Sequence, residues 1–162
     1  MAFPTTPNTL GAGNAIVSFL TTITLSDGVT LAYKLAQLEA IKDVTDQVAG
    51  GGVCVEVYGD TDISERRGFG GRIYDHQSWF ILSLCSEDTP TLAKQIYTVR
   101  DAFVQPFQQH AQLGNVDLSL FKAKLKDTMK FMRVLRNGQW LRAHLAELET
   151  WSEWVVPGGI IS

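Results

Sequence analysis

Cysteine, histidine and proline are scarce: two, three and five of 162 residues. The two cysteines, Cys54 and Cys85, form no CxxC pair, so a disulfide scaffold and the usual zinc and thioredoxin signatures have no footing. The histidines, His76, His110 and His144, stand far apart and match no HExxH spacing. No apolar run approaches the ~18 residues of a membrane span. The opening Met-Ala-Phe-Pro-Thr-Thr-Pro has neither a basic nor an apolar signal region, so no signal peptide is expected. A nucleophile elbow is also missing, and Gly11-Ala12-Gly13 has neither the preceding strand nor the third glycine of a dinucleotide site. Charged residues make up only 19%, against about a quarter in an average domain.

What is present is apolar and aromatic. Hydrophobic residues are 45% and aromatics 10%, with 14 glycines and four tryptophans. This composition excludes wholesale disorder, collagen and coiled coil, and fits a single domain burying roughly two thirds of its unfolded surface. Scarce charge on such a chain points to surface meant for copies of itself or for partners.

The net charge of −3 is unevenly spread. Residues 1–62 carry Lys34 and Lys42 against Asp27, Glu39, Asp43, Asp46, Glu56, Asp60 and Asp62. Residues 122–142 carry Lys122, Lys124, Lys126, Lys130, Arg133, Arg136 and Arg142 against Asp127 alone. The end is acidic again at Glu147, Glu149 and Glu153. Two readings are open: a solvated basic face, or complementarity between neighbouring subunits or toward nucleic acid. A pI near 5.5 argues against a dedicated DNA-binding domain.

Residues 1–12 read as an N-terminal arm, 13–156 as an α+β core and 157–162 as a tail, with both ends expected to be mobile. Apolar spacing at Ile16, Val17, Leu20 and Ile23 predicts a helix over 13–24, closed by the turn Ser26-Asp27-Gly28. Alternation at Val29, Leu31, Tyr33 and Leu35 predicts a strand. Val53–Tyr58 and Arg72–Cys85 pair as an antiparallel hairpin whose tip is the loop 59–71. Thr89 caps and Pro90 opens an amphipathic helix over 90–104, which Pro106 terminates. Met129 to Leu135 is a strand, Asn137-Gly138 a hairpin turn, and 139–156 is read as the returning strand rather than a helix. The fold class is α+β, an antiparallel-rich sheet covered by two helices.

Candidate chemistry is thin. Asp60, Asp62 and Glu65 place three carboxylates in one loop where a divalent cation could sit, but Arg66 and Arg67 beside them oppose it. The plainer reading is a solvated hairpin tip, and no catalytic, metal or cofactor residue is assigned. His76 and His144 read as surface or interface residues, and the cysteines as buried thiols. Trp140, Trp151 and Trp154 crowd the last 23 residues, and part of that cluster is a candidate contact surface.

The element order resembles the small neck proteins of tailed bacteriophages, most of all the ring-forming tail terminators. The resemblance covers residues 13–156: an N-terminal helix, the hairpin Val53–Tyr58 with Arg72–Cys85 and its loop 59–71, the helix Pro90–Val104, and the hairpin turning at Asn137-Gly138. It implies a homohexameric ring in the virion neck, made in the host cytoplasm. That ring would stop tail-tube polymerisation and join tail to head, with DNA passing through its lumen without sequence recognition. Its partners would be further copies of the chain, the tail tube protein and the head-tail connector. Arg66, Arg67, Lys122, Lys124, Lys126, Trp151 and Trp154 are candidate subunit or ring contacts. The rivals are a head-completion or connector protein and, from another class, a small metal-dependent enzyme using Asp60 and Asp62.

Overall fold

Nine elements follow one another in the computed structural model, which describes residues 8–69, 72–109, 113 and 120–155. Helix α1 spans Thr9–Leu20, and the Asn8 side chain caps it by accepting from the Gly11 N–H at 2.8 Å. Strand β1 is Leu35–Leu38 and helix α2 is Val44–Ala49. The long strands β2 (Val53–Phe69) and β3 (Arg72–Ser86) follow. Helices α3 (Pro90–Ala93) and α4 (Gln95–Gln109) come next, then β4 (Leu120–Arg136) and β5 (Gln139–Val155).

The strands form one sheet in the order β1-β2-β3-β5-β4. All pairings are antiparallel except β1 with β2, so the expected α+β, antiparallel-rich sheet is what the chain builds. Period-two alternation sorts side chains to two faces. On one face Val55, Val57, Trp79, Ile81, Ala146 and Leu148 meet Ile16 and Leu20 of α1 and Ile96, Val99 and Phe103 of α4. These are the two expected covering helices. On the other face Cys54, Leu84, Leu141 and Ala143 pack against Ile41, Val44 and Val48, so short α2 seals one end.

Several sequence expectations shift. The first helix starts at Thr9 rather than 13, taking residues 9–12 out of the supposed arm, and it stops at Leu20. The alternating run from Val29 is largely loop, joined by a single antiparallel bridge between Thr24 and Leu31; the strand proper is Leu35–Leu38. Alternation there registers exposure at a turn, not a ladder. Pro106 lies inside α4, which continues to Gln109. By then the helix is anchored by Phe103 and Phe107, both buried, and that packing outweighs one missing backbone bond. Residues 1–7, the outer part of the expected N-terminal arm, and 156–162, which include the whole expected tail, lie outside the described residues.

The largest correction concerns the loop 59–71. It is strand through Phe69, pairing with β3 in a register that shifts between Gly59 and Ser64. Residues 60–63 therefore bulge opposite Ser78. A second shift lies between Leu125 and Met129 on β4, opposite Glu147. Two bulges at nearly one level of the sheet bend and twist it where the strands run on past their helical cover.

Helix α1 sits close enough to the sheet that Gly13 is required there. A Cβ at Gly13 would lie 3.0 Å from Leu38 Cδ1 and 3.1 Å from the Trp79 ring. Alanine in a helix interior ordinarily gains up to ~1 kcal/mol over glycine. Against the buried indole, overpacking of about 1–3 kcal/mol wins. Gly13→Ala is therefore expected to lower the melting temperature, and a rise on thermal denaturation would show that Trp79 yields.

Candidate interaction surface

β4 is an edge strand 17 residues long, and among the described residues it pairs with β5 alone. Its alternating side chains divide between three settings. Lys122, Lys124 and Lys130 are exposed. Lys126, at the bulge, reaches Glu147 at 3.2 Å and Glu149 at 3.5 Å. Arg133 forks onto Glu87 and lies 4.6 Å over the Trp140 ring.

Trp151 joins part of the predicted set. It stacks on His76 at 4.8 Å and nearly coplanar, because His76 and Trp151 are directly opposite in the β3–β5 register. The Lys122 ammonium stands 5.3 Å from the same indole, within cation–π range. His76 also approaches Glu149 at 3.7 Å. The fold thus gathers Lys122, Lys126, Trp151 and His76 into one polar-aromatic cluster. Lys124 lies opposite Glu149, and Trp154 is half-buried opposite Ile73. Of Asp62, Glu65, Arg66 and Arg67 only the backbone is described, in and beside the β2 bulge, so their side chains lie outside what can be compared. The Asp60 carbonyl accepts from Gln77 Nε2 at 3.1 Å. Among the described residues no group of three or more His, Cys, Asp or Glu is placed to hold a metal ion.

The charge asymmetry is partly consumed within the molecule. Glu56, fully buried, takes both guanidinium nitrogens of Arg136, the Tyr58 hydroxyl at 2.7 Å and the Ile41 N–H at 2.7 Å. Burial alone would raise the Glu56 pKa, but these donors outweigh it and hold the carboxyl below its usual range. Burial and the hydrogen bond to Glu56 push the Tyr58 phenol up to about 12. One charge of the acidic third and one of the basic stretch cancel here. What remains outward on β4 is chiefly Lys122, Lys124 and Lys130.

A second surface was flagged by the sequence only through Trp140. Tyr97 of α4, Phe131 and Leu135 of β4 and Trp140 of β5 are all 43–53% exposed. Tyr97 and Phe131 pack edge to face at 4.9 Å, and Arg142 donates to the Tyr97 hydroxyl at 2.9 Å. Beside them opens a pocket of about 400 Å³ lined by Tyr97, Arg100, Asp101, Met129, Phe131 and His144. His144, expected at the surface, is 1% exposed beneath it, with rings of Phe103 and Phe131 at 5.8 and 5.4 Å. Neither of its ring nitrogens has a hydrogen-bond partner among the described residues. Burial, aided by Arg100, lowers its pKa to about 4, so the ring is neutral near pH 7. Besides Trp140, the available signal was Tyr97 lying one position off the buried stripe of Ile96, Val99 and Phe103.

Cys54 and Cys85 sit on adjacent strands but on opposite faces of the sheet, and both are buried free thiols. Burial pushes the Cys85 thiol up to about 11, an inert setting. No described helix is long and apolar enough to cross a membrane. Compared with known proteins, the chain matches no family model and no curated protein.

Proposed function

We propose that the chain is a structural protein of the tailed-bacteriophage neck, a tail terminator. Copies of it assemble into a ring, six-membered as the family resemblance implies, that ends tail-tube growth and joins tail to head. The observation that carries this reading is the β4 edge. A 17-residue strand presents an unpaired ladder among the described residues, and an aromatic patch with two arginines lies directly beside it. Bare edges invite pairing with another chain, and soluble monomers usually blunt or cover them. Exposed Tyr, Phe and Trp with Arg is the composition of interface hot spots. Lysines along the strand then tune which partner is accepted, while the DNA in the lumen needs no base-reading residues.

Negative-stain imaging of the purified chain is expected to reveal closed rings of uniform diameter. Deleting the gene from its phage genome should leave tails of uncontrolled length or tails detached from heads. A chain that stays monomeric at every concentration and leaves tails normal on deletion would overturn the reading.

A further inference from the structure

One turn of this molecule holds apolar side chains outward. Asp27 accepts from the Val29 and Thr30 N–H groups, each at 2.8 Å, and from the Thr30 hydroxyl. The Leu25 N–H donates to the Thr30 carbonyl at 2.8 Å, and Thr24 and Leu31 close the loop as an antiparallel bridge. These bonds fix the turn in advance, so docking it costs little ordering entropy. Turn tips are ordinarily polar. Here Val29 is 82% and Leu31 58% exposed.

Helix α4 separates this knob from the aromatic pocket. Thr98 lines the groove beside Leu25, Thr30 and Leu31, whereas Tyr97 and Arg100 line the pocket on the helix's other flank. The pocket has what such a knob needs. Phe131 and Met129 offer apolar wall, and Arg142 stands on the same flank with Arg100, which is bonded at 3.2 Å to the pocket's own exposed Asp101. Asp27 is the acidic group of the knob, its carboxyl held below the usual range by the Thr30 hydroxyl and the two N–H donors. A knob on one flank and its receptor on the other make a heterologous contact, the kind that closes into rings.

We infer that the 25–31 turn of one copy seats in the Tyr97–Phe131–His144 pocket of the next. Val29 is the apolar anchor against Phe131 and Met129, and Asp27 faces Arg100 and Arg142. This contact rests on the ring reading above and names the surfaces that build the ring.

The test is a mass measurement by light scattering on wild type, Val29→Asp, Phe131→Asp and an equimolar mixture of the two variants. Val29 is fully outward and Phe131 half-exposed, and melting curves check that both variants fold; if Phe131→Asp does not fold, Tyr97→Asp, also in the pocket lining, serves in its place. Wild type is expected to assemble, and each variant to fall to the single-chain mass of 17.9 kDa. The mixture is expected to form a species of twice that mass and nothing larger. The Val29→Asp chain keeps its pocket, the Phe131→Asp chain keeps its knob, and one good contact remains between them. If Val29→Asp assembles like wild type, this contact is overturned while the ring reading stands. If wild type forms only open chains that Val29→Asp disperses, the contact stands and the closed ring does not. If wild type is a monomer throughout, the contact is overturned, and the ring reading falls with it when tails are also normal on deletion.

Discussion

Replacing Arg136 by alanine is expected to destabilise the protein by about 3–5 kcal/mol near pH 7. Arg136 is the only cation on Glu56 among the described residues, and Glu56 is fully buried. Removing the guanidinium leaves a carboxylate in low dielectric with only Ile41 N–H and Tyr58 O–H to stabilise it. The pair also fastens the end of β4 to β2, across the intervening β5 and β3, and to the segment leading into α2. The sign of the pH dependence follows from the direction of the shift. The folded Glu56 pKa lies below its unfolded value, so its stabilisation is present above the unfolded pKa and fades as pH falls through the folded one. In Arg136→Ala the carboxyl regains its proton more readily, so the gap from wild type should narrow in acid. Glu56→Gln combined with Arg136→Ala should recover part of the loss, because the amide oxygen still accepts from Ile41. Urea unfolding of wild type and the two variants at neutral and acid pH measures all of this. Equal stability of Arg136→Ala and wild type near pH 7 would sink the clamp.

The second large effect is carried by His144. Its folded pKa of about 4 lies well below the usual histidine value of 6.5, through burial first and Arg100 second. The unfolded chain therefore binds a proton that the folded chain refuses between those two values. Stability should fall as pH drops from about 6.5 to 4, by roughly 3 kcal/mol in all, since each pKa unit is worth ~1.4 kcal/mol. Asp101, which also lines the pocket, is highly exposed and bonded to Arg100, so it offers the ring little relief. His144→Leu removes the titration, and its stability curve should be flatter over that window than wild type. Thermal denaturation at closely spaced pH values reads the difference, and parallel curves for the two proteins would rule out His144 as the source.

Local signals reported element identity faithfully where one residue type dictated geometry. Thr89 accepts from the Leu92 N–H and Pro90 opens a helical turn, as spacing predicts, but that turn is the four-residue α3, and the amphipathic helix expected over 90–104 begins anew at Gln95 and runs to Gln109. Asn137 and Gly138 both adopt positive φ, which glycine accepts for want of a Cβ and asparagine more readily than most residues, so the β4–β5 hairpin is legible from two letters. The long strand beyond that turn follows from it, despite Leu141, Leu145 and Leu148 lying at helical spacing. The same local reading failed at 59–71, where Gly, Asp and Ser look like a loop. There the partner strand β3 imposes pairing on whatever lies opposite, and the polar residues are absorbed as a bulge.

The interaction surface was the least legible part. Lys122, Lys126 and Trp151 were visible as types, yet their meeting with His76 depends on a register between β3, β5 and β4 that no local pattern encodes. Tyr97, Phe131, Leu135 and Trp140 are ordinary apolar letters. Only the order of strands, with β4 last, leaves them half bare.

By itself, then, the sequence determined the class of fold and the scarcity of surface charge, because propensity, capping and turn chemistry act over a few residues. Tertiary structure decided which charges cancel, which histidine is buried and which strand is left as an edge. Those outcomes turn on contacts between residues as distant as Glu56 and Arg136, where packing and desolvation weigh more than any local preference.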